Sequence, residues 1–157
     1  MSLDPTPNRA QPKAFAKSPA KRPGKIGQGN PVVRTSTRPR ILVVDDVADV
    51  TEMIALFLKH AGFEVATANS AATALMITSQ DQFDLIISDI GMPEMNGYDL
   101  AESLRKSDAY QATPMIAVTG YTEYDDRGRS FEAGFNAHLT KPINPSRLLS
   151  LIGDLLA

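Results

Sequence analysis

Three aspartates stand directly after apolar runs. Ile41-Leu42-Val43-Val44 leads into Asp45-Asp46, and Leu85-Ile86-Ile87-Ser88 leads into Asp89. Both runs are short, rich in β-branched residues and free of polar alternation, the pattern of strands buried on both faces of a parallel sheet. Open α/β sheets present their ligand sites at the carboxyl ends of the strands, where the strand order switches. Acids gathered there repel one another, so either protons or a cation must hold them together. A hard divalent cation with oxygen ligands is the natural partner, and Mg²⁺ bound by few carboxylates keeps positions for water or phosphate oxygens. Such a site makes one aspartate a phosphate acceptor.

Two further residues follow apolar runs in the same way. Thr119 follows Met115–Val118, and Lys141 follows Ala137–Thr140, with Pro142 directly after it. Each type has a use in phosphoryl transfer. A carboxylate attacks phosphorus and forms an acyl phosphate. An ammonium and a metal ion offset charge on the transferring oxygens. A hydroxyl donates to a phosphoryl oxygen once it has arrived.

The elements that must position these residues alternate along the chain. Strands are expected at Ile41–Val44, Phe63–Thr67, Leu85–Ser88, Met115–Val118 and Ala137–Thr140. Helices are expected at Val47–His60, Ser70–Gln80, Tyr98–Lys106, Tyr124–Ala133 and Pro145–Leu156. On the first helix Val50, Met53, Ile54, Phe57 and Leu58 form the expected apolar face, and Gly62 is the stop. The second presents Ala71, Ala74, Leu75 and Ile77 to the sheet. The last presents Leu148, Leu149, Ile152 and Leu156, and Pro145 suits its first turn. Asp46 also reads as a cap of the first helix. Asp84 reads as a turn residue, and Met92 and Met95 as packing in a turn-rich loop. Five such βα units make a doubly wound five-stranded parallel sheet.

The ordered set of Val43-Val44-Asp45-Asp46, Ile86 to Gly97 (with Ser88-Asp89 and Met92-Pro93-Glu94-Met95-Asn96-Gly97), Ala117-Val118-Thr119-Gly120 and Leu139-Thr140-Lys141-Pro142 resembles the receiver domain of two-component response regulators. The stretch Ala133 to Pro142 also resembles receivers attached to hybrid histidine kinases. The resemblance covers residues 40–157 and implies a flavodoxin-like strand order, 2-1-3-4-5. It implies Asp89 as phosphoacceptor, and Asp45, Asp46, Asp89 and the Gly91 carbonyl as holders of Mg²⁺. It also implies Thr119 as switch hydroxyl, and Lys141, after a cis peptide to Pro142, as the phosphoryl-binding cation. Gly91 and Tyr121 occupy positions that tune phosphoryl lifetime in the family. The implied donor is a histidine kinase or phosphotransfer protein. The implied output goes to a partner protein through helix 4, strand 5 and helix 5, and phosphorylation-dependent dimerisation is a further family trait. One position departs from the pattern. Where the family carries Tyr or Phe three residues before the lysine, this chain has His138. It reads as a smaller ring in the same packing role, or as a group titrating near pH 6.5.

Competing chemistries fit less well. A haloacid-dehalogenase-type phosphatase wants Asp-x-Asp after strand 1, and this chain has Asp45-Asp46-Val47-Ala48. A flavin-binding module wants a Ser/Thr/Gly-rich loop there, and the acids would repel the flavin phosphate. With no Cys among the 157 residues, disulfides, thiolate metal sites and Cys nucleophiles are excluded, and His60 and His138 alone make no His-rich metal site. No run approaches the about 20 apolar residues of a membrane span, and the N-terminus has no apolar signal core. A cytoplasmic, non-enzymatic signalling module without a DNA-binding domain is the expectation.

The net charge of −2 hides an asymmetry. Residues 1–40 hold nine Lys and Arg and one acid, whereas the remainder holds seven bases and seventeen acids. Six of the eleven prolines lie in residues 1–38. That segment has too little apolar surface to offset the entropy of ordering it. It is expected to be a disordered basic tail on a receiver domain at 39–157.

Overall fold

A computed structural model of the chain describes residues 37–120 and 124–157, and the side chains of 124–127 are outside that description. The expected tail therefore lies outside the described residues, apart from the exposed Thr37 and Arg38. The elements run β1 (Arg40–Val44), α1 (Ala48–His60), β2 (Glu64–Ala68), α2 (Ala71–Gln80), β3 (Leu85–Asp89), α3 (Gly97–Arg105), β4 (Met115–Thr119), α4 (Tyr124–Ala133), β5 (Ala137–Thr140) and α5 (Pro145–Leu156). The strands form one parallel sheet in the order β2-β1-β3-β4-β5. This is the expected doubly wound topology, with its switch between β1 and β3.

The unbroken apolar runs are explained by two core layers. Successive strand residues point to opposite faces. Leu42, Val44, Ile86, Met115 and Ala117 pack in one layer with residues of α2 and α3, among them Ala74, Leu100 and Leu104. Ile41, Val43, Leu85, Ile87, Ile116 and Val118 pack in the other with Ile54 and Leu58 of α1 and Leu148 and Ile152 of α5. Each large aliphatic side chain fully buried in this way contributes roughly 1.5–3 kcal/mol.

Several expectations are corrected in detail. On α1 the buried residues are Thr51, Ile54, Ala55 and Leu58, and Met53 is 64% exposed. The true face follows the helical repeat from 51 to 58 through Ile54, and Met53, one residue before Ile54, points about 100° away around the helix. Asp46 does not cap α1: the N-cap is Val47, with no side-chain cap bond. Instead the Val47 N–H donates to Asp45 Oδ1 at 2.9 Å. Strand β2 starts at Glu64 rather than Phe63, and β3 and β4 each run one residue further, to Asp89 and Thr119 themselves.

Asp84 is more than a turn residue. Its Oδ2 accepts the Arg40 N–H at 2.8 Å, and its own N–H donates to the Arg40 carbonyl at 2.8 Å. The Arg40 guanidinium lies over the Phe83 ring, 4.8 Å from its centre, and donates to the Gln82 carbonyl at 3.1 Å. Together these contacts fasten the starts of β1 and β3.

A second guanidinium fastens the far side of the sheet. Arg105, the last residue of α3, donates to the carbonyls of Tyr110 (2.9 Å), Gln111 (3.2 Å), Thr113 (2.7 Å) and Gly134 (2.6 Å) and to Asn136 Oδ1 (2.9 Å). Gly134 has φ +121°, and a Cβ there would come within 2.7 Å of Arg105 Cγ. The turn after α4 and the loop before β4 are thus held by one side chain. Replacing Arg105 with Met keeps its bulk and orphans these acceptors, so urea unfolding is expected to show a loss of roughly 3 kcal/mol. Met53→Gln, on the exposed face of α1, is expected to change stability by less than about 0.5 kcal/mol.

Candidate functional site

Four strands end in polar residues at one rim of the sheet: β1 before Asp45-Asp46, β3 at Asp89, β4 at Thr119 and β5 before Lys141. Hydrogen-bonded register makes their convergence a necessity. Asp89 pairs with Val118, and Thr119 with Thr140, so the rim residues of β3, β4 and β5 are side by side. The Lys141 N–H donates to the Thr119 carbonyl at 2.7 Å, and the Lys141–Pro142 peptide is cis, as expected. After this turn Asn144 caps α5 by accepting the Arg147 N–H at 3.1 Å, with Pro145 in the first turn.

The acids meet. Asp45, Asp46 and Asp89 each offer a carboxylate oxygen, all within 4.8 Å of one another. Asp45 and Asp89 are buried, 3% and 6% exposed, whereas Asp46 is exposed. Lys141 reaches across them, its Nζ 3.1 Å from Asp45 Oδ2 and 3.3 Å from Asp89 Oδ1. Thr119 is 1% exposed at the end of β4. Gly91 is exposed on the loop after β3, with open space where a Cβ would stand.

Electrostatics follow from this crowding. Burial pushes the Asp89 carboxyl up from its ordinary value, and the charges of Asp45 and Asp46 push it further, while Lys141 pulls it back without cancelling the rise. Burial alone would lower the Lys141 ammonium. Its hydrogen bond to Asp45 and the charges of Asp89 and Asp45 outweigh that and raise it, so the lysine stays charged.

The donor set fits a hard divalent cation. Metal–oxygen bonds of about 2.0–2.1 Å place octahedral ligands about 3 Å apart at an edge and about 4 Å across a diagonal, and these oxygens all lie within 4.8 Å of one another. Carboxylate oxygens are the ligand type that suits magnesium, calcium and manganese.

Other expectations fall out as follows. Met92 is buried and Met95 packs against the core, as read from the sequence. His138, opposite Ala117 in the register, has both ring nitrogens shielded from solvent. It lines a groove of about 270 Å³ with Phe131, Asn136, Ala137, Arg147 and Leu151, between α4 and α5. Tyr121 lies outside the described residues. Sequence reasoning missed Asn69, whose side-chain amide donates to the Asp45 carbonyl at 3.3 Å. It also missed the Ser88 hydroxyl, which donates to the Asp89 carbonyl at 2.9 Å. Neither bond has a spacing signature, because each depends on where a neighbouring backbone turns.

Residues 41–153 match the family described as Response regulator receiver domain. A 14.6 kDa protein of Leptolyngbya boryana is 35% identical over 76% of this chain and 92% of its own length. The transcriptional regulatory protein PrrA of Mycobacterium tuberculosis is 37% identical over 76% of this chain, which spans only 51% of that regulator. Among solved structures, the chemotaxis protein CheY4 of Vibrio cholerae superimposes with a TM-score of 0.74 at 32% identity, over 76% of this chain and 100% of that one. The signal receiver domain of a histidine kinase from Syntrophus aciditrophicus gives 0.70 at 32%, over 75% and 89%. Sheet order, rim residues and family match agree, and the chain belongs to the response regulator receiver domain family.

Proposed function

We propose that Asp89 is the phosphoacceptor of a phosphorelay, taking its phosphoryl group from a phosphohistidine on a kinase or phosphotransfer protein. The observation that carries this reading is the Lys141 ammonium bridging Asp45 and Asp89 beside a third carboxylate. An Asp89 carboxylate oxygen attacks phosphorus, the P–N bond to the donor imidazole breaks, and the imidazole leaves with the bond's electron pair. The product is an acyl phosphate. Asp45, Asp46, Asp89 and the Gly91 carbonyl would hold Mg²⁺, which when bound offsets charge on the transferring oxygens. Lys141 meets the phosphoryl oxygens from the β5 side, and Thr119 donates its hydroxyl to one of them. The phosphatase reading has no comparable support, because the acids after β1 are the adjacent pair Asp45-Asp46 and not Asp-x-Asp.

The output is proposed to pass through Thr119 to the groove lined by His138 and on to a partner protein docked on α4, β5 and α5. Residues 39–157 form the receiver unit in this reading, residues 1–38 a basic tail, and the protein acts in the cytoplasm. Its only catalysis is its own phosphorylation and dephosphorylation.

Incubation with acetyl phosphate and Mg²⁺ should add the mass of one phosphoryl group to the intact protein. Asp89→Asn and Asp46→Ala should each abolish the gain, and label persisting undiminished in Asp89→Asn would defeat the assignment.

The raised Asp89 pKa sets a stability profile for the metal-free protein. The folded chain holds this proton more tightly than the unfolded chain does. The stabilisation is therefore full below the unfolded value of 3.8 and is lost as pH rises through the folded value. At pH 7 Asp89→Asn should raise the thermal midpoint by about 3 °C, and the advantage should vanish as pH falls towards 4. An advantage that grows in acid would contradict the repulsion argument.

His138 ring resonances should shift when Mg²⁺ and beryllofluoride are added, and should stay put in Asp89→Asn. Identical spectra in the two proteins would remove His138 from the switch.

A further inference from the structure

We infer that Gly97 is a positioning residue for the phosphoacceptor and its metal: the absence of a side chain there sets where Asp89 and the Gly91 carbonyl stand. The inference rests on the phosphoacceptor reading above, but its central observation is steric. Gly97 is the first residue of α3 and is buried against the end of β3. A Cβ at this position would collide with the Asp89 carbonyl oxygen and would lie 2.9 Å from Ile90 Cα and 3.0 Å from Ile90 Cδ1. The first two are backbone atoms and cannot swing aside. Among the described glycines, only Gly62 and Gly134 have positive φ. Gly97 is therefore required for space, not for an unusual backbone conformation.

The hydrogen bonds show what that close approach secures. The Ile90 N–H donates to the Val118 carbonyl at 3.0 Å, and the Asp89 carbonyl accepts the buried Ser88 hydroxyl at 2.9 Å. The Asp89–Ile90 peptide is thus held from both ends, with Gly97 packed on it. The next carbonyl, that of Ile90, accepts two N–H groups, from Met92 and from Gly97, each at 2.9 Å. Gly97 thereby closes the loop from 90 to 97 onto itself. The loop is locked at its far side by Asn96 and Asp99, whose side chains each accept the other's backbone N–H at the start of α3. Two proposed metal ligands, the Asp89 carboxylate and the Gly91 carbonyl, flank Ile90 and leave from this one clamped segment. A methyl group at 97 must push α3 away, which loosens the Gly97 N–H bond closing the loop that carries Gly91, or tilt the Asp89–Ile90 peptide, which moves both ligands.

The test compares Gly97→Ala with Ile152→Ala in the full chain. Ile152 is fully buried in the layer beneath the opposite face of the sheet, so its loss destabilises without touching the rim. Three quantities are measured: thermal midpoint, Mg²⁺ affinity by calorimetry without any phosphodonor, and rate of phosphorylation by acetyl phosphate. Both variants should melt lower. Gly97→Ala alone should weaken Mg²⁺ binding about tenfold and slow phosphorylation roughly tenfold to a hundredfold. Adding Ile90→Val removes the Cδ1 contact but not the backbone ones, so it should recover part of the midpoint and none of the Mg²⁺ affinity. Unchanged Mg²⁺ affinity in Gly97→Ala, or the same loss in Ile152→Ala, overturns the inference. If Gly97→Ala does not fold, Ser88→Ala decides: weakened Mg²⁺ binding at a near wild-type midpoint supports control through this peptide, and unchanged binding refutes it. A wild-type chain that takes no phosphoryl group overturns the functional reading instead, and Mg²⁺ affinity still decides the role of Gly97.

Discussion

Like charge held at close quarters is the constraint on which this fold is organised. Three carboxylates whose oxygens lie within 4.8 Å of one another do not gather unaided, least of all when two of them are buried. A single ammonium, Lys141, binds the two buried acids together. It directly follows β5, 96 residues further along the chain than Asp45. The site therefore exists only when the whole sheet is assembled, because the acids and their counter-ion stand at the ends of β1, β3 and β5. A buried charge left without its partner is far more costly than an exposed one, so site and sheet are mutually dependent.

The rest of the molecule supplies rigidity where that pairing demands it. Central strands packed on both faces cannot shift without disturbing two core layers at once. At the end of the sheet away from the site, Arg40 and Asp84 fix the starts of β1 and β3, which sets how far each strand reaches at the rim. Arg105 holds the turn between α4 and β5 and with it the starting point of β5. Neither guanidinium approaches the chemistry. Both determine where the rim residues arrive.

Much of this was legible in the residues themselves. Unbroken apolar runs ending in Asp, Thr and Lys announced buried parallel strands and the rim they share, because backbone pairing forces consecutive strand ends together. The resemblance to receivers supplied the strand order. Periodicity failed on α1, where Met53 was placed in the core. Apolar residues at 50, 53, 54, 57 and 58 are compatible with two overlapping stripes, and only contact with the sheet chooses between them. Propensity failed for Asp46, because the backbone after β1 gives the accepting role to Asp45. Asp84, Asn69, Ser88 and Arg105 all act on main-chain atoms distant in sequence or set by local turns. Such bonds carry no spacing pattern, so only the folded backbone reveals them.

The burial of the three acids is uneven, and that unevenness has a chemical consequence. Asp45 and Asp89 sit in low dielectric, where each charge is felt strongly by the others, while exposed Asp46 is screened by water. A cation arriving from solvent meets Asp46 first and gains most from the pair behind it. In the proposed site the Gly91 carbonyl, on the loop after β3, would add a neutral ligand without further repulsion. In the proposed transfer a phosphoryl donor approaching the same opening would meet acids along its path, so its own negative charge would be tolerated only with positive charge on both sides of Asp89. Lys141 provides that charge from the β5 side. Asp46 lines the open side, and in the proposed function a divalent ion there would supply the second positive charge.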